Sequence, residues 1–288
     1  MNESPRIFIA CTESEWLPAE VLKYSIEKHS SRPVVVELIY KKIDRLPIPV
    51  KPRNRPRTPF SFQRFVIPSL CDYKGRAIYL DADMMVFQDI ADVYDMDMGG
   101  ADVLAVKEGD SQRRGQFSVM LIDCVKCQWS VESIVRQLDN GDFGYEDLMY
   151  DLCIAEKVGR IIHQRWNSLE YYQRGETALL HFTDMNTQPW TTRKNPLEQL
   201  WIDVLLAAIK GHHIQLEDVK REITLGHIRP SLLAQLLAEL NGTDLPSDID
   251  SLDKKFVPPF KLISGSKYRP IDILKRVFLK VERQVRGG

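Results

Sequence analysis

Short apolar runs alternate with amphipathic segments along the first two thirds of the chain. Arg6–Ala10 (RIFIA) is apolar enough for a buried strand, and Pro18–His29 places Val21, Leu22, Ser25 and Ile26 on one face of a helix. Val34–Tyr40 is rich in β-branched residues and predicts a second strand. Strand, helix and strand in succession form a βαβ unit, which implies a parallel sheet. Pro47, Pro49, Pro52, Pro56 and Pro59 then fall among Lys51, Arg53, Arg55 and Arg57, so residues 44–59 read as a basic loop without regular structure. The pattern continues with a helix over Phe60–Leu70 and a strand over Arg76–Leu80 that stops at Asp81-Ala82-Asp83. Strands are predicted at Val103–Val106, Ser118–Ile122, Gly159–His163 and Thr177–Phe182, with helices at Ser130–Leu138 and Glu146–Ile154.

After Pro189-Trp190 the strand pattern ends. Asn195-Pro196 opens a predicted helix running to Ile209, because proline is favoured at the first helical position. Leu216–Ile223 and Ser231–Leu240 follow as helices, Gly242–Pro259 as a polar linker, and Ile271–Val285 as a final helix. No internal repeat is visible. This division predicts an α/β domain over residues 1–190 and a helical region over residues 191–288.

Composition narrows the class. The 288 residues carry 39 Lys+Arg against 40 Asp+Glu, a formal net charge of -1, so the chain lacks the electrostatic footprint of a nucleic-acid partner. Met1–Arg6 has no basic segment followed by an apolar one, so no signal peptide is expected. The longest apolar runs fall well short of the ~20 residues that span a bilayer. The five cysteines are odd in number and not densely spaced, which suits a reducing cytoplasm. Cys124-x-x-Cys127 has no second pair nearby and reads as two half-buried thiols rather than half a zinc site.

The candidate chemistry lies in RAIYLDADMMVF, Arg76–Phe87. A buried strand delivers two carboxylates, Asp81 and Asp83, to its C-terminal end, where open α/β sheets bind their ligands. Two carboxylates so close resist burial unless a cation neutralises them, and Mg²⁺ or Mn²⁺ with oxygen ligands bridges naturally to substrate phosphates. The plainer alternative is a strand end capped by two solvent-facing aspartates. His181, at the end of another apolar strand, offers a neutral imidazole to the same cation, or serves as a satisfied core histidine. A haloacid-dehalogenase-type phosphatase would want such an aspartate pair near the N-terminus, without Met84-Met85 behind it.

These features occur in an order that resembles retaining glycosyltransferase family 8, the group that includes glycogenin and bacterial lipopolysaccharide galactosyl- and glucosyltransferases. RIFIACTESEWLPAEVLKYSI resembles the family's uridine-binding opening, and FSFQRFVIPSL its helix with a donor-binding arginine, here Arg64. YLDADMMV resembles its Asp-x-Asp segment and FSVMLID its next strand. EDLMYDL, RWN and HFTDMNTQPW resemble its later motifs, so the likeness spans residues 6–190. It implies a GT-A fold (Rossmann-like, α/β), here with a helical, basic C-terminal extension. It further implies a UDP-sugar donor, Mn²⁺ or Mg²⁺, and hexosyl transfer with retention to a glycan, glycolipid or protein acceptor. By the same resemblance Asp81, Asp83 and His181 hold the metal, Thr12 and Glu13 meet the uracil, Arg64 meets the diphosphate or sugar, and Ala82 and Gln188 complete the donor site.

The sequence also departs from the family. Its Asn-x-Gly is replaced by Gln116-Phe117-Ser118, its Asp-Gln-Asp by Tyr145-Glu146-Asp147, and its closing glycine and lysine by Asp184 and Gln188, with Arg193 or Lys194 as candidate substitutes for the lysine. Glu146 then stands as a nucleophile or electrostatic stabiliser and Asp147 as a ligand of sugar hydroxyls, against the alternative that both serve a helix N-terminus. The alternative function is a nucleotide-sugar-binding protein of the same fold without turnover. Finally, Lys261–Gly288 carries eight basic residues against Asp272 and Glu282, with apolar residues at helical spacing. That pattern suits a basic amphipathic helix on the inner face of a membrane, or one docked on its own domain.

Overall fold

The structure is a computed structural model that describes residues 4–107 and 117–264. The chain divides into two compact units, Met1–His181 and Phe182–Gly288. In the first, the elements are β1 (Arg6–Ala10), α1 (Trp16–His29), β2 (Val35–Leu38), α2 (Ile67–Leu70), β3 (Arg76–Asp81), β4 (Met84–Val86) and α3 (Ala91–Tyr94). They continue as β5 (Val103–Val106), β6 (Val119–Asp123), α4 (Val131–Asn140), α5 (Tyr145–Tyr150), β7 (Val158–Ile162), β8 (Ser168–Leu169) and β9 (Leu179–His181).

The main sheet has the order β2-β1-β3-β6-β5-β7, with only β6 running against the others. Alternation along the strands sorts their side chains onto two faces. Ile7, Ile9, Ile78, Leu80, Leu104 and Leu121 pack with Ala19, Leu22 and Ile26 of α1. Phe8, Ala10, Ala77, Tyr79, Val103 and Met120 pack with Ile67 of α2, Ile134 and Leu138 of α4, and Leu148 of α5. Both faces are covered, so the central strands are continuously apolar, as parallel strands between helical layers must be. This is the mixed α/β fold with a largely parallel sheet that the sequence predicts. A small second sheet, β4-β9-β8, stands beside it.

Several predicted elements are altered by local chemistry. The Phe60–Leu70 helix is a 3₁₀ segment, Ser61–Val66, followed by one α-helical turn. Pro68 has no N–H to return to the carbonyl of Arg64, which disfavours a continuous α-helix here. The helix predicted to reach Ile154 ends at Tyr150, since Leu152 adopts a left-handed φ of 51° that a helix cannot accommodate. The proline-rich loop contains one 3₁₀ turn, Pro52–Asn54, rather than none.

The second unit holds α6 (Glu198–Lys210), α7 (Leu216–Thr224), α8 (Ser231–Asn241) and α9 (Pro259–Ser264). Pro196 lies in the turn before α6, where the Asn195 side chain accepts from Leu197 N at 2.7 Å, so the helix starts later than predicted. The segment read as a linker contains a 3₁₀ turn, Ile249–Asp253. Its Ile249 is buried, and the Asp253 carboxylate accepts from Ser231 N at 2.8 Å and Ser231 Oγ at 2.5 Å. The predicted basic helix Ile271–Val285 lies outside the described residues. Among the described residues, no helix is long and apolar enough to cross a membrane.

Candidate active site

Parallel pairing of β1 with β3 sets Ala10 opposite Asp81, so both strands end at one edge of the sheet. Asp81 is buried. Tyr79, two residues earlier and therefore on the same face, donates its hydroxyl to Asp81 Oδ1 at 2.5 Å. Arg64 backs this pair. Its Nη2 donates to Tyr79 Oη at 3.0 Å and lies 3.8 Å from Asp81 Oδ1, while Nη1 and Nε donate to the carbonyls of Phe117 and Ser61. Burial raises the Asp81 pKa; Arg64 opposes the rise and the Asp83 charge adds to it.

The chain turns at Ala82 and re-enters as β4, which pairs antiparallel with β9 so that Met84 faces His181. That register brings the histidine to Asp83, the residue just before Met84. His181 Nε2 lies 3.0 Å from Asp83 Oδ1, and His181 Nδ1 donates to Asn167 Oδ1 at 2.8 Å. Asn167 accepts only at its oxygen, so Nδ1 carries the proton and Nε2 presents its lone pair to the aspartates when the ring is neutral. Burial would lower the His181 pKa, but Asp83, then Asp81 and Glu170, outweigh it, and the pKa is raised.

One ligand atom from each of Asp81, Asp83 and His181 lies within 4.8 Å of the others. Two carboxylates and an imidazole, with the imidazole oriented by an amide oxygen, are a donor set that fits Mn²⁺ or Mg²⁺. Arg64, a protonated His181 and the Tyr79 hydroxyl offset the charge on Asp81, and a cation would offset both the burial and the Asp83 repulsion that raise its pKa.

The turn after β1 is built on side-chain hydrogen bonds. Gln63 is buried and acts as a surrogate strand, with its Oε1 accepting from Cys11 N at 3.1 Å and its Nε2 donating to Cys11 O at 2.8 Å. Thr12 then donates from its N and Oγ1 to Glu15 Oε2 at 2.8 and 3.0 Å. Glu13 is exposed at this turn. Burial pushes the Glu15 pKa up to about 7; the two Thr12 hydrogen bonds oppose the shift, and the Asp83 and Asp81 charges reinforce it. Sequence reasoning missed Glu15, Gln63, Tyr79 and Asn167. Tyr79 had a signal in its i−2 spacing from Asp81, and Gln63 and Asn167 lay inside segments that resemble family motifs without being singled out.

The other predicted residues are placed as follows. Glu146 is exposed on α5 and pairs with Arg57 at 3.6 Å. Asp147 is exposed, and its Oδ2 accepts from Gly144 N at 2.7 Å, closing the N-terminus of α5. Neither belongs to the Asp81–Asp83–His181 cluster. Gln188 is buried in the second unit, where its Nε2 donates to Phe182 O at 3.0 Å. Arg193 pairs with Asp250 at 2.6 Å. Gln116 lies outside the described residues.

Known proteins resemble this chain in sequence and in fold. Residues 7–145 match the model of glycosyl transferase family 8. A 93-residue stretch is 34% identical to Protein CDI of Arabidopsis thaliana, covering 32% of this chain and 36% of that protein. The apo form of the glycosyltransferase GlyE of Streptococcus pneumoniae superposes with a TM-score of 0.52 at 18% identity, over 71% of this chain and 61% of that one. The galactosyltransferase LgtC, in a complex with donor and acceptor sugar analogues, does so with a TM-score of 0.51 at 11% identity, over 70% of this chain and 95% of that one. The chain spans less than two thirds of the length of Protein CDI and of GlyE. Residues 7–145 are therefore similar to glycosyl transferase family 8, and the fold is the GT-A fold expected from the sequence.

Proposed function

We propose that this chain is a glycosyltransferase of family 8 that transfers a hexose-type sugar from a UDP-sugar to a glycan or glycolipid acceptor, with retention of configuration. The observation that carries the reading is the convergence of Asp81, Asp83 and His181 from two separate strand ends. These three residues would hold a divalent cation, which when bound supplies Lewis-acid charge for a departing diphosphate. The rest belongs to the chain. The turn at Thr12 and Glu13 receives the uracil, and the backbone at Ala82 passes under the ribose and phosphates. Arg64 sets the orientation of Asp81 through Tyr79 while adding positive charge beneath the diphosphate.

Retention requires the acceptor to attack the face from which the diphosphate left, or two successive inversions. In the second route Glu146 attacks the anomeric carbon as the bond to the diphosphate breaks. The acceptor hydroxyl then bonds to the anomeric carbon as the bond to Glu146 breaks, and its proton passes to the released carboxylate or the departed diphosphate. Asp147, which also closes α5, would meet sugar hydroxyls. The acceptor is placed at the cytoplasmic face of a membrane if the basic segment beyond residue 264 binds there, and a protein acceptor is the other option.

The test is a panel of nucleotide sugars with Mn²⁺, reading release of free nucleotide, with Asp83→Ala alongside. Metal-dependent release from one UDP-sugar, lost in the variant, supports the proposal. Binding of UDP by calorimetry with no release, even with candidate acceptors, would favour a nucleotide-sugar-binding protein without turnover.

A further inference from the structure

Of the proline-rich basic loop, Arg57 pairs with Glu146, whereas the stretch before it has no part in the chemistry above and is pinned by hydrogen bonds. Asp139 of α4 accepts from Val50 N at 2.9 Å and from Lys51 N at 3.2 Å. Asn54, buried, donates to Leu138 O at 2.7 Å. Arg55 folds back, donating from Nε to Pro49 O and from Nη2 to Val50 O, both at 3.1 Å. These bonds fix what the loop presents. Val50 is 76% exposed and Ile48 49% exposed, two aliphatic side chains held out into water. Flanking them in sequence are Arg45, Arg53 and Arg55, all exposed, and the half-buried Lys51.

Their charges are available. Among the described residues, Lys41, Lys42 and Arg57 have carboxylate partners in Glu20, Glu37 and Glu146, whereas Arg45, Lys51, Arg53 and Arg55 have none within ion-pair distance. Residues 41–57 contain seven cations and a single acid, Asp44, in a chain whose net charge is -1. The Asp139 carboxylate beside the loop is spent on two backbone amides.

We propose that this loop is a membrane-docking surface for anionic lipid, with Val50 and Ile48 entering the headgroup region and Arg45, Lys51, Arg53 and Arg55 meeting lipid phosphates. The combination selects the occupant. A soluble polyanion would be served by the cations alone, and exposing two aliphatic side chains on a pinned loop gains nothing from it. At an anionic bilayer the same side chains leave water while each cation adds attraction to the negative surface. The inference is independent of the proposed transfer reaction and of the basic segment beyond residue 264.

The test is co-sedimentation of the full chain with phosphatidylcholine vesicles, with and without phosphatidylserine. Variants are Val50→Asp and the double variant Lys51→Glu/Arg53→Glu, each checked for native circular dichroism; neither substitution removes a side-chain hydrogen bond described above. Binding to the anionic vesicles should weaken by about fivefold for each cation removed and further for each acid added, and Val50→Asp should weaken it at least as much as the loss of one cation. Absence of sedimentation, or sedimentation unchanged by both variants, would overturn the proposal; the latter would assign binding to another segment. So would a charge-variant loss with no effect of Val50→Asp and equal competition by soluble polyphosphate, which would mark a purely ionic site.

Discussion

His181 Nε2 lies 3.0 Å from Asp83 Oδ1, a contact between the end of one strand of the small sheet and the turn that begins its neighbour. Everything proposed for the cation depends on this pair, and its orientation depends on Asn167, which holds the far side of the ring. Asn167→Ala should therefore weaken Mn²⁺ binding by about 10- to 100-fold while leaving both carboxylates in place. Titration calorimetry with Mn²⁺ checks this, and affinity equal to that of the unaltered protein would mean that the ring needs no such support.

The pH dependence of the same pair has a defined sign. The folded-state pKa of His181 is raised, so the cation-free protein gains stability from the His181–Asp83 contact that is complete below the unfolded value of about 6.5 and lost as pH climbs through the raised folded value. The proton that gives this stability competes with a cation for Nε2. Mn²⁺ affinity should fall as pH is lowered through the raised pKa, and binding isotherms across that range measure it. In His181→Gln the steepest part of this dependence should disappear.

Glu15 shifts stability with pH in the same direction. Its folded pKa is about 7 against an ordinary glutamate near 4.5, so the folded state binds more protons than the unfolded state between these values. Stability contributed by Glu15 is present at low pH and declines as pH rises from about 4.5 through 7. Glu15→Gln keeps an oxygen for Thr12 and removes the charge, so above pH 7 it should stabilise the cation-free protein by about 1–3 kcal/mol. Urea denaturation at two pH values reads the difference, which should vanish at the acid end.

In the second unit, Arg229 is fully buried and makes hydrogen bonds to Pro189 O, Ser231 Oγ, Glu198 Oε1 and Gln235 Oε1 at 2.5–2.8 Å. Arg229→Met leaves Glu198 without its cation and should cost about 3–5 kcal/mol. Arg229→Lys restores charge but not the planar fork and should recover only part of it. Chemical denaturation measures both.

Gln63→Ala tests the turn after β1. The substitution leaves Cys11 N and O without partners in a buried position and should cost about 1–3 kcal/mol. UDP affinity should fall as well, because the Thr12–Glu15 turn begins at Cys11. A stable variant with unchanged UDP affinity would separate this turn from the donor site.

The strands and the first helix were legible because burial on both faces of a central sheet demands unbroken apolar runs, as in Arg6–Ala10 and Arg76–Leu80, while α1 needs one apolar face. Asp81-Ala82-Asp83 was legible for the same reason, since charge placed directly after such a run must sit at a strand end. Its neighbours were not legible. Whether residues 60–70 form an α-helix or a 3₁₀ segment turned on one missing proline N–H, and the early end of α5 on the backbone of a single leucine. That His181 meets Asp83 follows from the register of β4 on β9, and that Gln63 holds Cys11 follows from two segments brought together across the sheet edge. These contacts join residues about 50 to 100 positions apart. Hydrophobic periodicity is local and reports which face of an element is buried. Which residue stands opposite which is decided by packing and strand register, and the cation site exists only at that level.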